Sequence, residues 1–160
     1  VRNAEYNACR RREAKEKFYV EACNEYIKRL SGFCRIEVKE LSEQKNDGNE
    51  ASVRAELKRE SEDIKKAIPS GAFVIAMCVE GIQYSTPELT DELARRTVAV
   101  GGKLCVIIGG SEGLDETIKQ LADLKLSMSK MTFPHHLARV MVLEQLYRCH
   151  TILAGKKYHK

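Results

Sequence analysis

The stretch Gly109-Gly110-Ser111-Glu112-Gly113 stands between an apolar run, Leu104-Cys105-Val106-Ile107-Ile108, and a helical pattern that begins near Leu114. A strand that ends in paired glycines at a helix start lets a ligand approach bare backbone closely. In a parallel sheet, ligands bind at that end of the strands. The same glycines equally suit a plain tight turn. No Lys-Ser/Thr pair follows and no Gly-x-Gly-x-x-Gly is present, so neither nucleotide hydrolysis nor a dinucleotide fold is indicated.

Met128-Ser129-Lys130-Met131-Thr132-Phe133 lies between an extended segment and a helix start. Its short side chains and hydroxyls suit a backbone that hydrogen-bonds a flat ring such as adenine. They equally suit a helix-entry loop in which Thr132 or a neighbour caps the helix before Pro134. His135 and His136 invite a metal, but adjacent helical residues point about 100° apart and chelate poorly. Arg139 and Arg148 are cations on an otherwise apolar helix. They can grip phosphate or a base edge, although Glu144 stands four residues before Arg148, at ion-pair spacing. The chain closes on Lys156-Lys157-Tyr158-His159-Lys160. There Tyr158 can stack on a base, His159 can exchange a proton and the lysines can meet phosphate. A tail of this kind is otherwise simply solvated.

Composition narrows the setting. A chain of 160 residues with 43% apolar and 31% charged residues suits one soluble domain with a modest core. No apolar stretch spans a bilayer and no signal-peptide pattern opens the sequence, so a cytoplasmic protein is expected. A net charge of +4 makes only a weak case for a nucleic-acid partner, with Arg10-Arg11-Arg12 and Lys156-Lys157 as local positive density. The six cysteines (9, 23, 34, 78, 105 and 149) lack metal or disulfide-scaffold spacing and are expected to be reduced and structural.

These residues need a frame to hold them. Tyr19, Ala22, Cys23, Tyr26, Ile27 and Leu30 form the stripe of an amphipathic helix over 14–30, stopped by Ser31-Gly32. Cys34, Ile36 and Val38 alternate as in a strand, and residues 44–49 read as a polar loop. Val53, Leu57, Ile64 and Ile68 mark a second helix ended by Pro69. Residues 72–79 are nearly all apolar, as in a strand covered on both faces. Ser85-Thr86-Pro87-Glu88 signals a helix start, continuing to about Val98. Gly101-Gly102 releases the chain into a strand at 103–108. A short helix near 114–124, an extended segment near 126–129 and a last helix from Pro134 complete the pattern. Leu137, Val140, Met141, Leu143, Leu146, Tyr147, Ile152 and Leu153 lie on more than one face of that helix, so a partner subunit is expected to bury the second face. Alternating strands and helices imply an α/β fold with a mainly parallel sheet.

The glycine turn, the segment Leu126-Ser-Met-Ser-Lys-Met-Thr-Phe-Pro-His-His-Leu-Ala-Arg139, then Leu143-Glu-Gln-Leu-Tyr-Arg148, and the Lys157-Tyr-His-Lys160 terminus closely resemble the ribosomal large-subunit methyltransferase H family of the SPOUT class. The resemblance covers residues 14–160 and is strongest from 103 onward. It implies one domain over 1–160, whose carboxyl part is tied in a deep trefoil knot, and a homodimer. It implies S-adenosylmethionine as cofactor, bound by Met77, Gly109, Met128, Ser129, Lys130, Met131, Thr132 and Phe133, with no metal. The implied reaction is methylation of N3 of a pseudouridine in 23S rRNA within the assembled ribosome, with no membrane partner. Arg148, Tyr158 and His159 are then the catalytic candidates, and Arg139, Lys156 and Lys157 the RNA contacts.

One departure stands out. The family opens with an apolar first strand and a glycine before Lys15-Glu-Lys-Phe18, whereas residues 1–12 are polar here and Arg12 takes the place of that glycine. Residues 1–13 are therefore atypical. Either the strand persists with a weak sequence or this end lies outside the fold. A non-catalytic ribosome-binding module with the same fold is the rival expectation.

Overall fold

The computed structural model describes residues 16–41, 49–110 and 112–159, together with the backbone of 5–10. Arg11, Arg12, the 44–48 part of the polar loop, Ser111 and Lys160 lie outside the described residues. Strands and helices alternate as β1 (Glu5–Arg10), α1 (Lys17–Leu30), β2 (Arg35–Glu40), α2 (Glu50–Ala67), β3 (Phe73–Ile82), α3 (Thr86–Ala99), β4 (Lys103–Ile108), α4 (Glu116–Leu121), β5 (Leu124–Leu126) and α5 (His135–Leu153). The strands form one parallel sheet in the order β2-β1-β4-β3-β5.

The polar opening segment thus forms a strand after all, and an interior one. Residues 5–10 pair with β2 from Glu5–Arg35 to Arg10–Glu40, and with β4 from Glu5–Lys103 to Cys9–Ile107. Two-sided backbone pairing satisfies donors and acceptors whatever the side chains, which is how a weak strand sequence holds an interior position.

Side chains of β3 and β4 alternate between two cores, as a period of two requires. Phe73, Ile75, Leu104, Val106 and Ile108 meet α1, α3 and α5 through Cys23, Leu30, Leu89, Leu93, Leu143 and Leu146. Val74, Ala76, Cys105 and Ile107 meet Ile64 of α2 and Ile118 of α4 on the other face. Each fully buried leucine or isoleucine contributes about 1.5–3 kcal/mol. Cys23, Cys34, Cys105 and Cys149 are buried. Burial pushes the Cys34 thiol up to about 12, which keeps it protonated and inert.

Local chemistry sets most boundaries. Ser85 and Glu88 form a reciprocal capping box, with the Glu88 carboxylate accepting from the Ser85 N–H at 2.7 Å. Gly101 and Gly102 turn the chain at positive φ into β4. Three expectations are corrected. The extended segment expected at 126–129 is β5 at 124–126, because Asp123 clamps Val74 through its carboxylate (2.7 Å) and its own N–H (2.9 Å) and starts the pairing early. The helix expected over 114–124 spans only Glu116–Leu121, capped by Asp115. Thr132 does not cap α5: Pro134 occupies that position without a side-chain bond.

Helices α1 and α5 lie side by side and run the same way. Tyr19 meets His136, Tyr26 meets Tyr147, and Phe33, just past α1, meets His150. His150 is 4% exposed and stacked 5.6 Å from the Phe33 ring. Burial pulls its pKa from the ordinary 6.5 down to about 4. The folded state therefore resists the proton that the unfolded chain accepts. Stability is fully present above pH 6.5 and falls as pH drops toward 4, by on the order of 3 kcal/mol from this residue. A His150→Phe variant is expected to lose that much less stability across this window, measured by urea midpoints. Parallel pH profiles for parent and variant would contradict it.

Candidate active site

The carboxyl ends of β3, β4 and β5 enclose a cavity of about 260 Å³. Three chain segments make its wall: Met77–Glu80 from β3, Ile108–Gly110 with Gly113 and Leu114 after β4, and Leu126–Ser129 with Met131–Phe133 after β5. His135 and Ala138 close one side from α5. Of the expected cofactor residues, Met77, Gly109, Met128, Ser129, Met131, Thr132 and Phe133 all reach this cavity. Lys130 is exposed and is not part of the wall.

Each segment has its own reason for shape. A Cβ on Gly109 would stand 2.5 Å from the carbonyl carbon of Gly113 and closer still to its oxygen, so the turn closes only over bare backbone. A Gly110–Gly113 bridge and positive φ at Gly113 complete it. Strand β3 shifts register against β5 between Met77 and Ile82, a bulge that turns the intervening residues toward the cavity. Gly81 allows β5 to come close there, since a Cβ would lie 2.7 Å from the Leu126 and Lys125 backbone. After β5, the Ser127 hydroxyl donates to the Ser129 carbonyl (2.9 Å) and the Ser129 hydroxyl accepts from the Met131 N–H (3.0 Å). The loop hydroxyls thus brace their own backbone.

The walls are apolar around Met77, Leu114, Met128 and Phe133, while Glu80 and Lys119 stand as an ion pair. The cavity is thus an apolar slot with braced backbone on one side and an ion pair on its wall. Met77, Leu126, Ser127 and Met128 also bound a second cavity of about 430 Å³ between α3 and α5, where the Thr86 hydroxyl donates to the Gln145 side-chain oxygen (2.9 Å).

The expected catalytic residues lie elsewhere in the chain. Arg148 donates to one Glu144 oxygen from Nε (2.9 Å) and Nη2 (2.6 Å), so the ion pair allowed by their spacing is formed. Its guanidinium also lies 4.9 Å from the centre of the Tyr158 ring. Tyr158 donates to Glu144 at 3.5 Å and packs edge-on to Tyr147 at 4.8 Å. Glu144 holds the Arg148 proton more tightly than usual. The tail is therefore folded back on α5 rather than frayed. Gly155 causes this: at φ +64° it ends α5 in a Schellman turn, with Lys156 N–H on the Thr151 carbonyl and Gly155 N–H on that of Ile152. The glycine after the apolar helix was the available signal. Lys156 lies over Phe33 at 4.4 Å, and Lys157 is exposed. His159 Nδ1 is buried without a hydrogen-bond partner among the described residues. Arg139 is buried and pairs with Glu40 at the end of β2 (3.0 Å).

A single chain does not unite the two sets. His135 touches the first cavity, whereas Arg148 stands 13 residues further along α5, about 20 Å by helical rise. The histidine pair divides as well: His135 faces the cavity and His136 stacks on Tyr19. Among the described residues, no group of three or more His, Cys, Asp or Glu side chains is placed to hold a metal, and no helix is long and apolar enough to cross a membrane. Glu80, Lys119 and Cys78 escaped sequence reasoning because only the β3 bulge and the packing of α4 bring them to the wall.

The sequence and the parallel α/β fold are both shared with known proteins. The sequence matches the family described as "Predicted SPOUT methyltransferase" over residues 9–159. The chain belongs to this family, a class of enzymes that use a methyl donor. It is 44% identical over 146 residues to the Ribosomal RNA large subunit methyltransferase H of Caldicellulosiruptor saccharolyticus, spanning 91% of this chain and 94% of that protein. It is 42% identical over 153 residues to the protein of the same name from Bifidobacterium adolescentis, spanning 92% and 94%. Among solved structures, a probable methylase family protein from Haemophilus influenzae Rd KW20 matches the fold with TM-score 0.52 at 15% identity, covering 98% of this chain and 70% of that one.

Proposed function

We propose that this chain, acting as one domain, is a 23S rRNA methyltransferase that methylates N3 of a pseudouridine in the assembled ribosome, with S-adenosylmethionine as donor. The observation that carries the reading is the convergence of Met77, Gly109 and the 128–133 loop on one cavity at the strand ends. The name borne by its relatives supplies the rRNA, and a ribosomal substrate makes the protein cytoplasmic. The family's trefoil knot is the proposed path of the three cavity-forming segments.

S-adenosylmethionine supplies a methyl group already activated by its sulfonium, so the protein's work is mainly alignment. Met77 and Phe133 would sandwich the adenine while the braced loop offers backbone groups to its edge. N3 of a uracil-type ring must lose its proton before attack. Arg148, held by Glu144 against Tyr158, offers positive charge to the ring anion. His159, with its buried and unpartnered Nδ1, is the proton acceptor. Lys156 and Lys157 meet phosphate. Arg139 holds β2 to α5 through Glu40, and approaches RNA only at that edge.

Donor pocket and catalytic tail come together only if a second copy supplies the tail. Helix α5 supports this homodimer: Val140, Met141 and Tyr147 are half-buried and Leu153 exposed in the single chain, an apolar surface a twofold partner would cover. The rival reading, a non-catalytic ribosome-binding module, rested on a damaged first strand, and β1 is paired on both sides.

Incubation of unmodified ribosomes with tritiated S-adenosylmethionine tests the proposal. Label is expected in large-subunit RNA, and nuclease digestion with mass spectrometry is expected to place it on N3 of a pseudouridine. Absence of label from ribosomes that a related active enzyme does modify would defeat it.

A further inference from the structure

The charged pair on the cavity wall has no part in the chemistry above. Glu80 lies within the β3 bulge and Lys119 on α4, 39 residues later, and their side chains meet beside the donor cavity. Among the described wall residues they carry the only formal charges, since the rest of the lining is apolar, glycine, hydroxyl-bearing, thiol or imidazole. The remainder of the cavity suits a nucleoside. An anion and a cation held side by side suit a zwitterion, whose ammonium and carboxylate are the complementary pair.

We propose that Glu80 and Lys119 form the subsite for the amino-acid end of the donor, Glu80 receiving its ammonium and Lys119 its carboxylate. The proposal rests on the S-adenosylmethionine reading. Side-chain exposures of 53% for Glu80 and 21% for Lys119 leave the pair open to exchange partners. An exposed ion pair is worth only about 0–1 kcal/mol, so parting it costs little. Charge-assisted hydrogen bonds to a ligand of the same charge pattern replace it, one for each side chain. The Lys119 side chain holds the Glu80 carboxyl below the usual carboxylate range, and Glu80 raises the Lys119 ammonium, so both are charged at neutral pH. A purely structural bridge between β3 and α4 makes a different prediction, because its loss would loosen the whole pocket.

Two ligands separate the cases: S-adenosylhomocysteine, which carries the amino-acid end, and 5′-methylthioadenosine, which lacks it. By calorimetry, Lys119→Met and Glu80→Gln are each expected to weaken S-adenosylhomocysteine about 10-fold, the worth of one charge-assisted bond, and methylthioadenosine less than about 2-fold. Lys119→Arg, which keeps the charge, is expected to retain most of the affinity and guards against a folding defect in Lys119→Met. Parallel weakening of both ligands, or of neither, overturns the subsite. If the unaltered protein binds neither nucleoside, the cofactor reading itself falls, a result distinguishable from loss of the subsite alone.

Discussion

Gly109→Ala is expected to weaken S-adenosylmethionine binding at least about 100-fold, some 2.7 kcal/mol, because the turn cannot close around a side chain. The new Cβ, fixed in place by its own backbone, would meet the Gly113 carbonyl group well inside contact distance, and the atoms it meets are backbone. No rotamer change relieves it, so residues 109–113 must move out of the cavity wall. Gly32→Ala is the matched control: its Cβ would lie 3.8 Å from the Arg29 carbonyl oxygen, ordinary contact, and it lies off the cavity wall. It should change stability by less than about 0.5 kcal/mol and binding not at all. Calorimetry on the two variants gives the comparison. Retained affinity in Gly109→Ala would mean that the donor does not use this turn.

Arg148→Ala is expected to behave in the opposite way, lowering turnover by about 100-fold or more through loss of charge opposite the ring anion, with donor affinity unchanged. The separation along α5, about 20 Å, keeps the substitution away from its own chain's cavity. The two variants together test where the tail acts. If each site joins the pocket of one copy to the tail of the other, a one-to-one mixture of Gly109→Ala and Arg148→Ala chains contains mixed dimers with one intact site each. Random exchange then restores about a quarter of the parental methyl transfer from two inactive proteins. No restoration after verified subunit exchange would rule out a shared site.

Much of the frame was legible. Strand β4 falls where expected, at 103–108, because a continuous apolar run is bracketed by glycines that end pairing on both sides. Helix α3 begins where Ser85 and Glu88 announce it, since a capping box is satisfied within four residues. Elements whose limits depend on distant partners were less legible. Leu124 to Ser129 alternates well enough to be a strand throughout, and the clamp between Asp123 and Val74 decides where pairing begins. The first strand shows the same dependence more strongly: its residues argue against an interior position, and its neighbours β2 and β4 hold it there.

The expected cofactor residues were named from motif resemblance, and all of them but Lys130 line one cavity. The sequence alone determined the alternation of elements and the place of the glycine turn, both settled by neighbours a few residues apart, and it allowed the Arg148–Glu144 pair that the structure forms. The tertiary structure alone decided that Glu80 meets Lys119, and that pocket and tail stand at opposite ends of one helix. Periodicity reports which face a residue occupies. The distance between two faces is set by how helices and strands pack, and no local pattern encodes it.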